Sequence, residues 1–183
     1  RSISVSVEAE TRRAMRPSYR QAPRPRQRSP PAYPPVLVLT APAPMLAQLA
    51  PRLPTGAAWR YEPKLDGFRG LLWHRTASSV QLLSRNSRDL GTWFPELIQA
   101  GQKLPVGTLI DGEIVIADDE GCVDFAGLQS RLSSARKQVT CMALERTAVL
   151  VAFDALEIDD WPLLDEPLAA RRERLGRLLE ALH

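Results

Sequence analysis

Lysine is nearly absent from this sequence: of 24 basic side chains in 183 residues, only Lys64, Lys103 and Lys137 are lysine and the other 21 are arginine. Cysteine and histidine are as scarce, with Cys122, Cys141, His74 and His183 making up the whole supply. Two thiols are too few for a disulfide scaffold or a four-ligand zinc site, and two histidines do not make up the difference. No apolar run approaches the roughly 18 residues that cross a bilayer, and residues 1–10 lack the apolar core of a signal peptide. These absences point away from redox, zinc and membrane chemistry and towards a cytoplasmic protein. The first residue is Arg1 and not methionine, as expected of a fragment.

Hydrophobic residues at 44% and charged residues at 25% suit a folded domain, yet the charge is unevenly spread. Residues 1–35 hold eight arginines against Glu8 and Glu10, a net +6, so residues 36–183 carry −3 of the total +3. Seven prolines and seven arginines crowd residues 12–35, where almost nothing aliphatic is available to form a core. Residues 1–35 therefore read as a disordered Arg/Pro-rich tail, either an arm attracted to nucleic acid or a solvated linker. Residues 36–183 read as the folded part.

Within it, the pattern predicts a short strand at Trp59–Pro63 and a hairpin turn at Asp66-Gly67. Strands follow at Gly70–Arg75, Val80–Ser84 and Thr108–Ala117, the last ending in the turn Asp118-Asp119-Glu120-Gly121. Thr92 as N-cap and Pro95 in the first turn predict a short helix, and Asp124 predicts the cap of another through Phe125, Leu128 and Leu132. Val149–Ile158 is the most continuous apolar strand and is expected to be central, buried on both faces. A last helix from Pro167 stripes Leu168, Leu175, Leu178, Leu179 and Leu182 together, with Arg171, Arg172 and Arg174 largely outside the stripe. The fold class is α+β, antiparallel strands flanked by helices.

In so arginine-rich a chain a surviving lysine matters, because guanidinium keeps its proton and cannot act as a nucleophile. Lys103 and Lys137 lie in polar surface stretches. Lys64 follows Pro63, with Asp66 and Arg69 close by. A nucleophilic lysine needs its ordinary pKa of about 10.4 lowered by burial or a nearby cation. Arg69 is the candidate for that cation, and it is equally suited to hold a phosphate. The same residues also fit an ordinary turn with exposed flanks.

The segment Glu62-Pro63-Lys64-Leu65-Asp66-Gly67-Phe68-Arg69 resembles the nucleotidyltransferase signature Lys-x-Asp-Gly-x-Arg, in surroundings similar to the ATP-dependent DNA ligases. In the family's order come Ser84-Arg85-Asn86, Asp111-Gly112-Glu113 and Phe153-Asp154, four matches spread over about 90 residues. The resemblance implies a partial ATP-grasp-like adenylation domain. It implies that Lys64 attacks the α-phosphorus of ATP to form lysyl-AMP, which passes to the 5′-phosphate of a nick before the strand is sealed. By the same resemblance Glu62 reads the adenine amino group, Arg69 and Arg85 contact ribose and phosphates, Glu113 holds a ribose hydroxyl, and Phe153 stacks on the base. Magnesium or manganese would offset the triphosphate charge, with Asp66 and Glu113 as candidate ligands. Read alone, Asp66 fits a turn as well as a metal contact, and Phe153 fits a core position as well as a base platform.

The resemblance covers residues 42–182 and departs at two points. Family members carry later lysines that grip the α-phosphate and then an oligonucleotide-binding barrel, whereas no lysine follows Lys137 here. Asp160 stands where the family more often has glycine. The expectation is thus a truncated adenylation domain with impaired activity, monomeric, cytoplasmic and nucleoid-associated. Its implied partners are nicked double-stranded DNA and other DNA repair proteins, with no membrane. An RNA ligase or capping-type nucleotidyltransferase is the alternative enzyme, and a non-catalytic remnant that binds nucleic acid the alternative outside enzymology.

Overall fold

In the computed structural model, strands Ile3–Ser4 (β1), Phe68–Thr76 (β2), Ser79–Ser84 (β3), Thr108–Ile116 (β4), Ala148–Ile158 (β5) and Trp161–Pro162 (β6) form one sheet. Its order is β1-β5-β4-β2-β3, with β6 folded back on β5, and every pairing but β1 with β5 is antiparallel. Helices Pro95–Gly101 (α1), Phe125–Ser133 (α2), Arg136–Glu145 (α3) and Leu168–Glu180 (α4) complete the α+β fold. The structure describes residues 3–4 in their backbone, together with 41–42, 44–45, 50–56, 59–117 and 120–182. The Arg/Pro-rich residues 12–35 and the turn residues Asp118 and Asp119 lie outside the described part. No described helix is long and apolar enough to cross a membrane.

Period-two alternation divides the apolar side chains between the two faces of the sheet. Leu72, Leu82, Ile110, Ile114 and Leu150 pack with Leu97 of α1, Leu128 of α2 and Leu175 of α4 in the main core. Leu71, Trp73, Leu109 and Leu156 form a smaller cluster on the opposite face. In β4 every residue is buried except Glu113, which is half-buried, so β4 and not β5 is the central strand. Along the first half of β5, Val149, Val151 and Phe153 alternate as half-exposed positions. The apolar run that suggested burial on both faces instead lines a cleft.

Local chemistry moved several other boundaries. Trp59–Pro63 forms no strand, and its residues are exposed. Asp66-Gly67 is no hairpin turn either. A Cβ on Gly67 would lie 2.3 Å from the Ile114 carbonyl oxygen, so this glycine serves a close approach to β4. Backbone bonds from Trp93 to Leu90 and from Phe94 to Gly91 hold a turn there, and α1 starts only at Pro95, after a Phe94 N-cap that leaves Thr92 uninvolved. Asp124 does cap α2, accepting from the Gly127 amide at 2.9 Å. Of the predicted stripe, Leu175 and Leu179 are buried, while Leu168 at the start of α4 and Leu182 beyond its end are exposed. Asp159 and Asp160 take φ of 55° and 59° in the β5–β6 turn, a conformation that glycine and aspartate both tolerate, which accounts for Asp160 in place of the family's glycine.

The helices are tied to the sheet through Arg131 of α2, 1% exposed. Its guanidinium donates to Glu96 of α1, to the Met142 carbonyl of α3 at 2.9 Å and to the Arg146 carbonyl. Glu96 in turn accepts from the Ala148 amide at the start of β5, at 2.9 Å. Four elements meet on one ion pair. Removing the cation strands a nearly buried carboxylate, so Arg131→Ala is expected to lower unfolding free energy by about 3 kcal/mol or more in urea titrations. Arg177→Ala, which breaks an exposed pair with Glu173 one helical turn away, should leave the midpoint unchanged.

Candidate active site

The cleft is built on the pairing of β2, β4 and β5. Arg69 lies opposite Glu113, and Glu113 lies opposite Val151. Gly70 pairs with Ser84, which sets Arg85 just past β3, level with Arg69 at the same end of the sheet. One row across the sheet thus holds Arg85, Arg69 and Glu113. Next to this row the register slips: Gly112 pairs with Ala152 and Asp111 with Asp154, leaving Phe153 as the extra residue of a β-bulge. Bulges re-aim a side chain, and this one gives the ring a place in the cleft wall instead of the main core.

The slip also sets Asp111 and Asp154 directly opposite each other, both buried. Each carboxylate has its own arginine. Arg69 donates Nε and Nη2 to the two oxygens of Asp111, both at 2.5 Å, with its guanidinium carbon 4.7 Å from the centre of the Phe153 ring. Arg171 of α4 grips Asp154 the same way, at 2.8 and 2.7 Å, and adds a 2.6 Å bond to the Glu166 carbonyl. Burial pushes the Asp111 carboxyl above its ordinary range, while the Arg69 bonds pull it back part of the way.

Lys64 departs from the expected electrostatics. Its amine is exposed and paired with Asp66, and the hydrogen bond to that carboxylate holds it above the ordinary lysine value. Arg69, bonded to Asp111, is not among the groups that shift it. Glu113 is half-buried and shifted up by that burial, with the Gly67 amide bond pulling the other way.

A cleft of about 870 Å³ opens between residues 60–65, β5 and the first turns of α4. Pro63 and Leu65, on either side of Lys64, line it together with Tyr61, Glu62, Phe153 and Arg172. Its volume is in the range of sites that bury a small organic ligand. The structure thus gathers Glu62 and Phe153 in one cavity, with Lys64 and Asp66 at its edge and Arg69 against Phe153. Arg85 is exposed and outside the lining. Arg171 and Arg172, which lie largely outside the predicted apolar stripe and were given no site role from the sequence, belong to the site: Arg172 pairs with Glu62 across 110 residues. Their signal was the small-residue face of α4, where Ala169, Ala170 and Gly176 also line the cleft. Among the described residues no group of three or more His, Cys, Asp or Glu forms a ready-made metal site.

Residues 44–183 match the family described as the ATP dependent DNA ligase domain. The chain is 40% identical over 142 residues to DNA ligase C1 of Mycolicibacterium smegmatis, covering 75% of this chain and 40% of that protein. It is 40% identical over 146 residues to DNA ligase C of Mycobacterium tuberculosis, covering 79% and 38%. Its fold superimposes on a mycobacterial DNA ligase D solved with ATP and MES, at a TM-score of 0.54 and 30% identity, over 66% of this chain and 36% of that one. The chain spans about two fifths of the length of these curated relatives.

Because Asp66 is the main cause of the raised Lys64 pKa, Asp66→Asn should bring its titration down towards the ordinary 10.5. With only three lysines in the chain, the ¹³C signals of reductively methylated amines can be assigned and followed against pH. One of the three should move in Asp66→Asn and be absent from Lys64→Arg. An unmoved titration would dissociate the pair.

Proposed function

The chain belongs to the ATP-dependent DNA ligase domain family, and we propose that it supplies the base-binding and nucleophilic part of an adenylating site. The observation that carries this reading is the cleft itself, in which a bulged aromatic and a carboxylate share one wall system with the only lysine that has a cleft-lining residue on each side. Phe153 offers a face for adenine, and Glu62 an acceptor for its exocyclic amine. Glu113 accepts from a ribose hydroxyl, and Arg69 and Arg85, in one row at the sheet end, draw the phosphates.

Lys64 is the nucleophile of this scheme. Its pair with Asp66 keeps it charged in the nucleotide-free form, so reaction requires Asp66 to let go and the amine to lose its proton to solvent. The neutral nitrogen then attacks the α-phosphorus, the bond to the bridging oxygen breaks, and pyrophosphate leaves. In the following step a 5′-phosphate oxygen at a DNA nick takes the AMP and the phosphorus–nitrogen bond breaks. The neighbouring 3′-hydroxyl then displaces AMP and seals the strand, a reaction suited to DNA repair. The hard oxygens of Asp66 and Glu113 are donors of the kind magnesium takes beside substrate phosphates, and that ion, when bound, offsets phosphate charge.

Incubation of the 183-residue chain with ATP and magnesium, followed by peptide mass spectrometry, tests the assignment. An AMP adduct is expected on Lys64, slow to form without the family's later lysines and lost entirely in Lys64→Arg. An adduct on Lys103 or Lys137 would refute the nucleophile, and no adduct would leave a fold without the chemistry.

A further inference from the structure

Two neighbouring residues of α4 reach the proposed base-binding wall, one bonding Glu62 and the other the residue next to Phe153. Arg171 is bidentate to Asp154, the residue next to Phe153 on β5, and its second anchor at the Glu166 carbonyl fixes it to the helix entry. Arg172 pairs with Glu62 in the otherwise irregular segment before Lys64. Residues 59–66 belong to no helix or strand, so little else in the backbone pins the Glu62 carboxylate. Among the described residues, Arg172 bonds one of its oxygens, Oε1. In the proposed site the other accepts from a donor in the cleft. Glu62 is 43% exposed and Arg172 25% exposed at the side chain, open enough for exchange with a ligand and close enough to be ordered before it arrives.

We infer that Arg172 is a positioning residue for base identity: by holding Glu62 at a distance from Phe153 that α4 sets through Arg171-Arg172, it selects a 6-amino over a 6-oxo purine nucleotide. This rests on the nucleotide-binding reading above and adds a residue to it. The physical basis is preorganisation. A free glutamate must surrender rotamer freedom to meet the base, while one already held by a guanidinium has done so. Being ionised, it accepts from an amino group and repels a carbonyl oxygen at the same place.

Equilibrium binding of ATP and of inosine triphosphate, which differ in the group at purine C6 and in the proton that the 6-oxo base carries on N1, tests this on the 183-residue chain. Wild type should prefer ATP. Arg172→Gln should weaken ATP by about three- to tenfold and leave inosine triphosphate nearly unchanged, and Arg172→Lys should restore much of the preference. A thermal melt run in parallel should show the variants folded as wild type, since Arg172 reaches no buried partner. Wild-type preference that survives in Arg172→Gln, tighter ATP binding by that variant, or no wild-type preference at all would overturn the inference while sparing the nucleotide site. Failure of wild type to bind either nucleotide would overturn the site reading and the inference with it.

Discussion

Two carboxylates facing each other across a strand pair, buried, are unstable alone, and the cleft of this protein is organised around that instability. Like charges directly opposite in a sheet repel, and removal from water adds a desolvation cost to each. Asp111 and Asp154 are brought into this position by the bulge at Phe153. Their charges are met by Arg69 from β2 and Arg171 from α4. The need for two cations therefore recruits the strand that carries the proposed phosphate-binding end and the helix that closes the cleft. The bulge that creates the problem also turns Phe153 into the space between them.

Arg69 illustrates how one charge can be committed in advance. It was an attractive candidate to lower the pKa of Lys64 on sequence grounds, but its guanidinium is occupied by Asp111 and stacked on Phe153. The residue bonded to Lys64 is Asp66, which acts in the opposite direction. In the nucleotide-free state the site thus presents a cationic lysine to an anionic substrate. In the proposed scheme, activation of the amine waits until the nucleotide competes for the surrounding charges.

Elements governed by local chemistry were legible in the sequence. The β2–β3 hairpin follows from apolar runs on either side of a short polar turn, and α2 from a capping aspartate three residues ahead of Gly127. Elements decided by long-range contact were not. Gly67 looked like a turn glycine, yet what requires it is a carbonyl 47 positions later, at Ile114. The apolar character of β5 suggested a core strand, while alternate residues of it form the cleft. Helix α3 was missed because Val139 and Ala143 are its only buried side chains, too few for an amphipathic signal. Arg171 and Arg172 lay outside the apolar stripe of α4, and their partners Asp154 and Glu62 stand 17 and 110 positions away in the chain. The family motifs named Glu62, Lys64, Glu113 and Phe153 as candidates. They could not reveal that α4 ties the first of these to the neighbour of the last.

In the proposed site a nucleotide lies between the bulged strand and α4, with its α-phosphate at Lys64. A crystal structure of the chain with an ATP analogue carrying a methylene bridge between the α- and β-phosphates examines this with the scissile bond made inert. The account requires the adenine ring against Phe153, its amino edge at Glu62 and the α-phosphorus beside Lys64. Nucleotide bound away from Phe153, or with its phosphates remote from Lys64, would contradict it.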